Sequence, residues 1–460
     1  MTPRFAIVGH PNKGKSSIVA TLAEDEAVAI SSRPGTTTRA TSYPMTLDGE
    51  VLYELIDTPG FQRAREVLEW LDQHDSGAGS RADTVRSFLE AHAENPRFHD
   101  ECELLRPVID GAGVLYVVDG SRPYGRQYES EMEILRRTGR PRMALINLIG
   151  TGDHLDEWHA ALAQYFSIVR VFDAVRADFS KRIDLLRAFG ALDESWAAQL
   201  TRAADALIEE RDRRKQRAAR TIADLLVEAL TATAVMPLPD PNAQAQVEQR
   251  ARAKLFESIR RAERRSRHTV QQIYRHADTQ TEEVDEGVLT DDVFSKRSFR
   301  IFGLSSRQLA ITGAASGAAA GGIVDVALGG ASLMLGAGIG AALGAAGALG
   351  GASRLARIRV LGQPLGGHEL VIGPITAPNL PWVLLARALL HVRLVAERNH
   401  ARRDALVLEV ESADRKAAQI ETAERTRLES AFRKIRRQRA DDSAVREELA
   451  GIVAGLIDTP

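Results

Sequence analysis

The chain has 460 residues, a net charge of −2 with 27% charged residues, and a single cysteine, Cys102. That length asks for two or three domains, one cysteine excludes an intrachain disulfide framework, and the balanced charge gives no global pull toward nucleic acid. The N-terminus lacks the basic-then-apolar pattern of a signal peptide, so a reducing, cytoplasmic setting is the expectation, with Cys102 a small buried residue.

Residues 5–8 form an apolar, strand-like run that leads into Gly9-His-Pro-Asn-Lys-Gly-Lys-Ser-Ser17, and a helical pattern follows over 18–30. Gly9, Gly14, Lys15 and Ser16 fit G-x-x-x-x-G-K-[ST] in a strand–turn–helix setting, the pattern of a phosphate-binding loop. The candidate cradle is Gly9, His10, Pro11, Asn12, Lys13, Gly14, Lys15, Ser16 and Ser17. Its backbone N–H groups and helix N-terminus suit phosphate. Lys15 is expected to reach the β and γ phosphates, and the Ser16 hydroxyl to take Mg²⁺. The polar stretch Ser31-Ser-Arg-Pro-Gly-Thr-Thr-Thr-Arg39 should supply a second hydroxyl to the metal, Thr38 first and Thr37 second. Two strands, 40–48 and 51–56, are joined at Asp48-Gly49, a hairpin signal. The second ends in Asp57-Thr-Pro-Gly60, where Asp57 suits the Mg²⁺ water shell and the Gly60 N–H can sense a γ phosphate.

Taken together, Gly9-x-Pro-Asn-x-Gly-Lys-Ser16, Pro34-Gly-Thr-Thr-Thr-Arg39 and Asp57-Thr-Pro-Gly60 resemble the TrmE–Era-like branch of the P-loop GTPases over roughly residues 3–195. The resemblance implies an α/β domain with a mostly parallel sheet that binds GTP and GDP with Mg²⁺ and hydrolyses GTP. It casts Lys15, Thr38 and Gly60 in catalytic roles, and Ser16, Thr38 and Asp57 around Mg²⁺. In this branch an Asn at the place of Asn12 helps bind K⁺; the other reading of Asn12 is a residue that stabilises the loop. Phe61 stands where Ras-like enzymes carry a water-positioning Gln, so Gln62, Glu66 and Glu69 are the candidates for that task.

Residues 62–110 are longer than a minimal GTPase needs and contain helical patterns broken by Ser76-Gly-Ala-Gly-Ser80 and Asn95-Pro96, either an enlarged second switch or a surface elaboration. Residues 113–119 and 143–146 read as buried parallel strands. The family's guanine-reading motif, N-K-x-D, is here Asn147-Leu-Ile-Gly150, without the Lys or the Asp. Asp153 lies three residues on, in a loop with two glycines, and is either a displaced base-reading carboxylate or a helix cap. After a strand at 168–172, Ala174 falls where the last base-contacting loop is expected.

The first domain is expected to end near 198, followed by a helical region over 199–307. Within it Arg260, Arg261, Arg264, Arg265, Arg267 and His268 form a basic cluster, read as a solvated helix face or an anionic-lipid contact. Met236-Pro-Leu-Pro-Asp-Pro241 reads as a break between helices. Residues 308–353 are rich in Gly and Ala, with glycines at four-residue spacing at Gly313, Gly317 and Gly321 and again at Gly336, Gly340 and Gly344. Such rows let two helices approach closely, and basic residues flank both ends. A membrane hairpin and a soluble helical hairpin both fit this stretch. Strand-like segments at 358–361 and 369–372, a helix from 379 or 381 to about 399, a charged helix over 403–440 with weak heptad character, and a short helix near 444–456 complete the chain. The heptad positions allow packing within the chain or across a homodimer.

The sequence therefore predicts an α/β P-loop GTPase domain followed by a mainly helical region with a Gly/Ala-rich hairpin. The expected function is a GTP-hydrolysing switch, Mg²⁺-dependent and, on the K⁺ reading of Asn12, K⁺-stimulated, in the cytoplasm at the inner membrane. A scaffold that binds nucleotide with little turnover, an ATPase and a soluble regulator are the alternatives.

Overall fold

The computed structural model describes residues 2–24, 37–75, 77–174, 176–238, 244–276, 352–354, 359–360, 363–364, 368–397, 420–438 and 443–458. The end of the first predicted helix, residues 31–36, nearly all of the Gly/Ala-rich stretch and the heptad positions before Ile420 lie outside them. The chain divides into two compact units, with the boundary at Arg211 and Asp212.

The first unit is built on a six-stranded sheet in the order β2-β3-β1-β4-β5-β6. Its strands are β1 (Arg4–Val8), β2 (Thr41–Leu47), β3 (Glu50–Asp57), β4 (Gly113–Asp119), β5 (Arg142–Asn147) and β6 (Ile168–Val171). All neighbours are parallel except β2, which runs antiparallel on β3. The Asp48-Gly49 hairpin that joins them has both residues at positive φ, 50° and 83°, the turn whose twist matches paired strands.

The central strands are apolar on both faces because helices cover both. Phe5, Ile7, Leu115, Val117, Met143 and Leu145 join one core. The intervening Ala6, Val8, Val114, Tyr116, Val118, Ala144 and Ile146 join the other, as the two-residue period of a strand requires. The first face is packed by α1 (Lys15–Ala23), α7 (Phe179–Gly190) and the start of α8 (Glu194–Thr231). The second is packed by α2 (Ala64–Gln73), α3 (Arg81–Ala91), α4 (His99–Ile109), α5 (Gln127–Arg137) and α6 (Leu155–Leu162). The unit passes the boundary read at 198 because Leu200, Ala203, Ala204 and Leu207 of α8 still belong to the first core.

The second unit has one core. It joins the later part of α8 to β7 (Ala234–Leu238), α9 (Gln244–Ile273), β11 (His368–Ile372), α10 (Leu380–Glu397), α11 (Thr422–Gln438) and α12 (Ser443–Asp458). The strands β7 and β8 (Ala352–Arg354) flank β11 in an antiparallel sheet, and β9 (Arg359–Val360) pairs with β10 (Gln363–Pro364). The segment read as a break between helices thus contains a strand. Pro237 is tolerated because β7 lies at the sheet edge, where a missing N–H can face away from the ladder.

The basic cluster on α9 meets carboxylates of its own chain. Arg264 and Arg260 lie 2.7 and 3.7 Å from Glu257, Arg265 lies 2.6 Å from Glu228, and Arg267 lies 2.9 Å from Glu263. Much of the charge read as a lipid contact is therefore compensated within the unit. Among the described residues, no helix is long and apolar enough to cross a membrane.

Candidate nucleotide-binding site

The motif residues gather at the C-terminal edge of the sheet, where the ends of β1, β3, β4 and β5 place Gly9, Asp57, Asp119 and Asn147 side by side. Gly14 stands at the head of α1 in the left-handed conformation. The Lys15 ammonium folds back over the loop and donates to the carbonyls of Gly9, 3.3 Å, and His10, 3.2 Å. Burial lowers its pKa to about 8, against the opposing pull of Asp57 and Glu131.

Ser16 and Thr37 converge on one carboxylate. The Ser16 hydroxyl donates to Asp57 Oδ2 at 2.7 Å and the Thr37 hydroxyl to the same oxygen at 3.1 Å. Burial pushes the Asp57 carboxyl up, while Ser16, Lys15 and Thr37 pull it back. Its second oxygen, Oδ1, is buried without a hydrogen-bond partner. A buried carboxylate with one oxygen shared by two hydroxyls and the other left without a partner fits an oxygen-seeking Mg²⁺. Of the two threonines read for the metal, Thr37, the second choice, reaches Asp57, whereas Thr38, the first, is exposed and presents its carbonyl to His99.

The Asp57-Thr-Pro-Gly60 turn is locked against β1 and the loop. Thr58 donates to the Ile7 carbonyl at 2.7 Å, and the Phe61 N–H donates to the Gly9 carbonyl at 3.2 Å. A Cβ on Gly60 would fall 2.6 Å from Pro11 N, so only glycine allows this approach. Phe61 is a core residue, 1% exposed. Of the three candidates for its missing water-positioning role, Gln62 and Glu69 are exposed and Glu66 pairs with Arg63 and Arg97. None of the three is fixed toward the phosphate loop by a contact. Asn12 sits exposed on the loop at φ 61°, and Ser17 is half-buried in the first turn of α1.

On the base side, Asn147 is buried and fully engaged. It donates to the Lys13 carbonyl at 3.1 Å and accepts from the Ala174 N–H at 3.2 Å, and Thr21 of α1 holds the Ala174 carbonyl at 2.8 Å. Asn147 thus staples the phosphate loop to the loop after β6. Asp153 does not join them. It is exposed and accepts from the Leu155 N–H at 3.3 Å, beside the start of α6. The loop that carries it is packed on the turn that follows β4: a Cβ on Gly152 would lie 2.2 Å from the Ser121 carbonyl, and the His154 N–H donates to the Gly120 carbonyl. The N-cap residue of α6 is His154, with no side-chain cap hydrogen bond, so the Leu155 N–H contact does not make Asp153 its cap.

Two buried charged groups complete the site: Glu131, not read from the sequence, and Lys13, a member of the expected cradle. Glu131 of α5, 2% exposed, accepts from the Tyr116 hydroxyl at 2.9 Å and lies 2.8 Å from His10 Nδ1, tying the phosphate loop to α5. Lys13, 5% exposed, lies 3.9 Å from Asp119 and over the Tyr128 ring. The sequence holds a signal for Glu131: it shares helical spacing with Tyr128 and Leu135, a stripe otherwise apolar.

Comparison with known proteins agrees with this geometry. Residues 4–148 match the family described as "50S ribosome-binding GTPase". GTPase Der of Caldanaerobacter subterraneus is 34% identical over 122 residues, which are 26% of this chain and 27% of that protein. GTPase Der of Aromatoleum aromaticum is 46% identical over 72 residues, 16% of each chain. The chain thus spans only about a quarter or less of these relatives' length. A solved structure of an Aquifex aeolicus Era variant bound to GDP and AlF4⁻ aligns at a TM-score of 0.29 and 14% identity, covering 59% of this chain and 89% of that one. Residues 4–148 of the first unit are thus similar to this GTPase family and to GTPase Der. Residues 159–452, from within α6 onward, match the "Domain of unknown function (DUF3482)"; covering well over half of the molecule, that match makes this chain a member of the DUF3482 family, preceded by the residues that match the GTPase model.

Proposed function

We propose that the first unit binds Mg²⁺–GTP, hydrolyses it to GDP and phosphate, and acts as a nucleotide switch. The observation that carries this reading is the convergence of Ser16 and Thr37 on Asp57, with a buried carboxylate oxygen left over. Mg²⁺ held by Ser16 and Thr37, with Asp57 beside it, would neutralise charge on the β and γ phosphates. Lys15 swings from the loop carbonyls to the phosphates, and the Gly60 N–H is poised for the γ-phosphate oxygens. Attack of water on the γ phosphorus breaks its bond to the β–γ bridging oxygen, and the preset loop amides and Lys15 stabilise the charge that develops. Loss of the γ phosphate releases the segments around Thr37 and Gly60. Asn12 is the residue to hold K⁺ if turnover is K⁺-stimulated.

Phosphate release from GTP should be measured with Na⁺ or K⁺ in wild type and in Lys15→Ala. Turnover abolished by Lys15→Ala supports the reading, and binding of GTP by wild type without any turnover refutes hydrolysis. A K⁺ effect that survives Asn12→Ala removes Asn12 from that role.

Association with the inner membrane rests on the sequence of 308–353 and its basic flanks, Lys296, Arg297, Arg300 and Arg307 before it and Arg354, Arg357 and Arg359 after it. Retention in the membrane pellet after an alkaline carbonate wash is the expected result, and quantitative release would count against insertion.

A further inference from the structure

The 62–110 insertion comes back to touch both nucleotide-sensing segments through a single helix. On α4, His99 Nε2 lies 3.0 Å from the Thr38 carbonyl, to which it donates, and Glu103 Oε2 accepts from the Ala40 N–H at 3.0 Å. Glu101 Oε1 accepts from the Gln62 and Arg63 N–H groups at 2.9 and 2.6 Å. The spacing explains the arrangement. Residues i and i+4 share a helix face, while i+2 points away from it. His99 and Glu103 therefore hold residues 38–40, next to Thr37, while Glu101 holds residues 62–63, just after Gly60 and Phe61.

The helix itself is anchored. Leu104, Leu105 and Val108 are wholly buried in the core beneath the sheet. Glu101 is 0% exposed, and its second oxygen is buried without a hydrogen-bond partner. Keeping a carboxylate in such a place is costly unless its hydrogen bonds are needed. The two segments that must respond to the γ phosphate thus hang from one immobile element, so moving either strains contacts on α4.

Resting on the hydrolysis reading above, we propose that α4 is a built-in clamp on the two nucleotide-sensing segments. Glu103 and His99 are positioning residues for 38–40, and Glu101 is the positioning residue for 62–63. A surface elaboration would need no such bridge. The clamp makes the GTP-bound arrangement of both segments a property of this chain rather than of a partner that docks on them.

The test uses the full chain with Glu103→Ala, Glu103→Gln and His99→Ala, positions that are not fully buried, and Glu101→Gln beside them. The readouts are kcat for GTP, affinity for GDP, and the ratio of affinities for a non-hydrolysable GTP analogue and GDP. Glu103→Ala should lower both kcat and the analogue-to-GDP ratio about tenfold, the scale of one lost charge-assisted hydrogen bond, with GDP affinity unchanged. Glu103→Gln keeps an oxygen to accept from Ala40 and should recover most of the loss. The clamp is overturned if folded Glu103→Ala and His99→Ala keep both the wild-type kcat and the wild-type ratio. It is also overturned if GDP affinity falls as far as kcat, which marks general damage. If Glu101→Gln fails to fold, the other variants decide. A wild type that binds nucleotide without turnover refutes the hydrolysis reading, and the analogue-to-GDP ratio then judges the clamp by itself.

Discussion

Lys15 shows how a residue named by pattern acquires its chemistry from packing. Its ammonium is buried against the Gly9 and His10 carbonyls, and burial lowers its pKa to about 8. A bound phosphate favours the charged form, so binding takes up a proton wherever the free lysine has lost one. Affinity for Mg²⁺–GDP should therefore weaken as pH rises through 8. From pH 7.0 to 8.5 the charged fraction falls about fourfold for a pKa of 8, and the dissociation constant should rise by about that factor. Calorimetric titrations at several pH values, with net proton uptake growing above pH 7.5, would bear this out; a flat profile would place the free lysine higher. The same scale separates what was legible from what was not. Gly9, Lys15, Ser16, Asp57 and Gly60 are fixed by backbone geometry, which motif spacing encodes. The choice of Thr37 over Thr38 depends on the direction of one side chain, and three consecutive threonines hide it. Glu131, and the Asp119 partner of Lys13, became visible only when folding brought α5 and β4 to the loop.

At the scale of elements, the continuous apolar runs of β1, β4 and β5 made the parallel sheet readable, since helices on both faces demand apolar residues at every position. β7 was not readable, because Pro237 argues against a strand until its edge position is known. The loop between β5 and α6 is a sharper case. Its two glycines suggested freedom to bring Asp153 to a base, but they are where the loop packs closely on Ser121. A loop held down at Gly152 and at His154 cannot carry Asp153 away without breaking those contacts and the one to Leu155. Asp153→Asn should accordingly leave the relative affinities for GTP and XTP within about twofold of wild type, the scatter expected of an exposed surface change. A carboxylate that accepts the paired hydrogen bonds of guanine would behave otherwise, and a shift toward XTP of tenfold or more would return Asp153 to the base.

At the scale of the molecule, each unit has its own core, and the second unit's stability turns on an ionic cluster inside it. Arg387, 2% exposed, donates to Glu263 at 2.7 Å, and Arg267 reaches the same carboxylate at 2.9 Å. Arg387→Ala removes one of the two cations on Glu263 and empties the buried volume its side chain fills, so it should lower the urea midpoint of the second unit's transition. His391 of α10 faces this cluster across a small cavity that it lines with Glu263, Ser266 and Arg267 of α9 and with Ile222 and Leu225 of α8. Burial, and then the Arg267 charge, lower its pKa to about 3. The folded protein thus keeps His391 neutral, while the unfolded chain takes up a proton below about pH 6.5. Between those values the unfolded state binds more protons, so the contribution to stability is complete above pH 6.5 and is lost as pH falls toward 3. Urea midpoints should decline from pH 7 to pH 4.5 in wild type and decline less steeply in His391→Leu, which has no proton to take up. Parallel pH profiles for the two proteins would show that the acid sensitivity of this unit arises elsewhere.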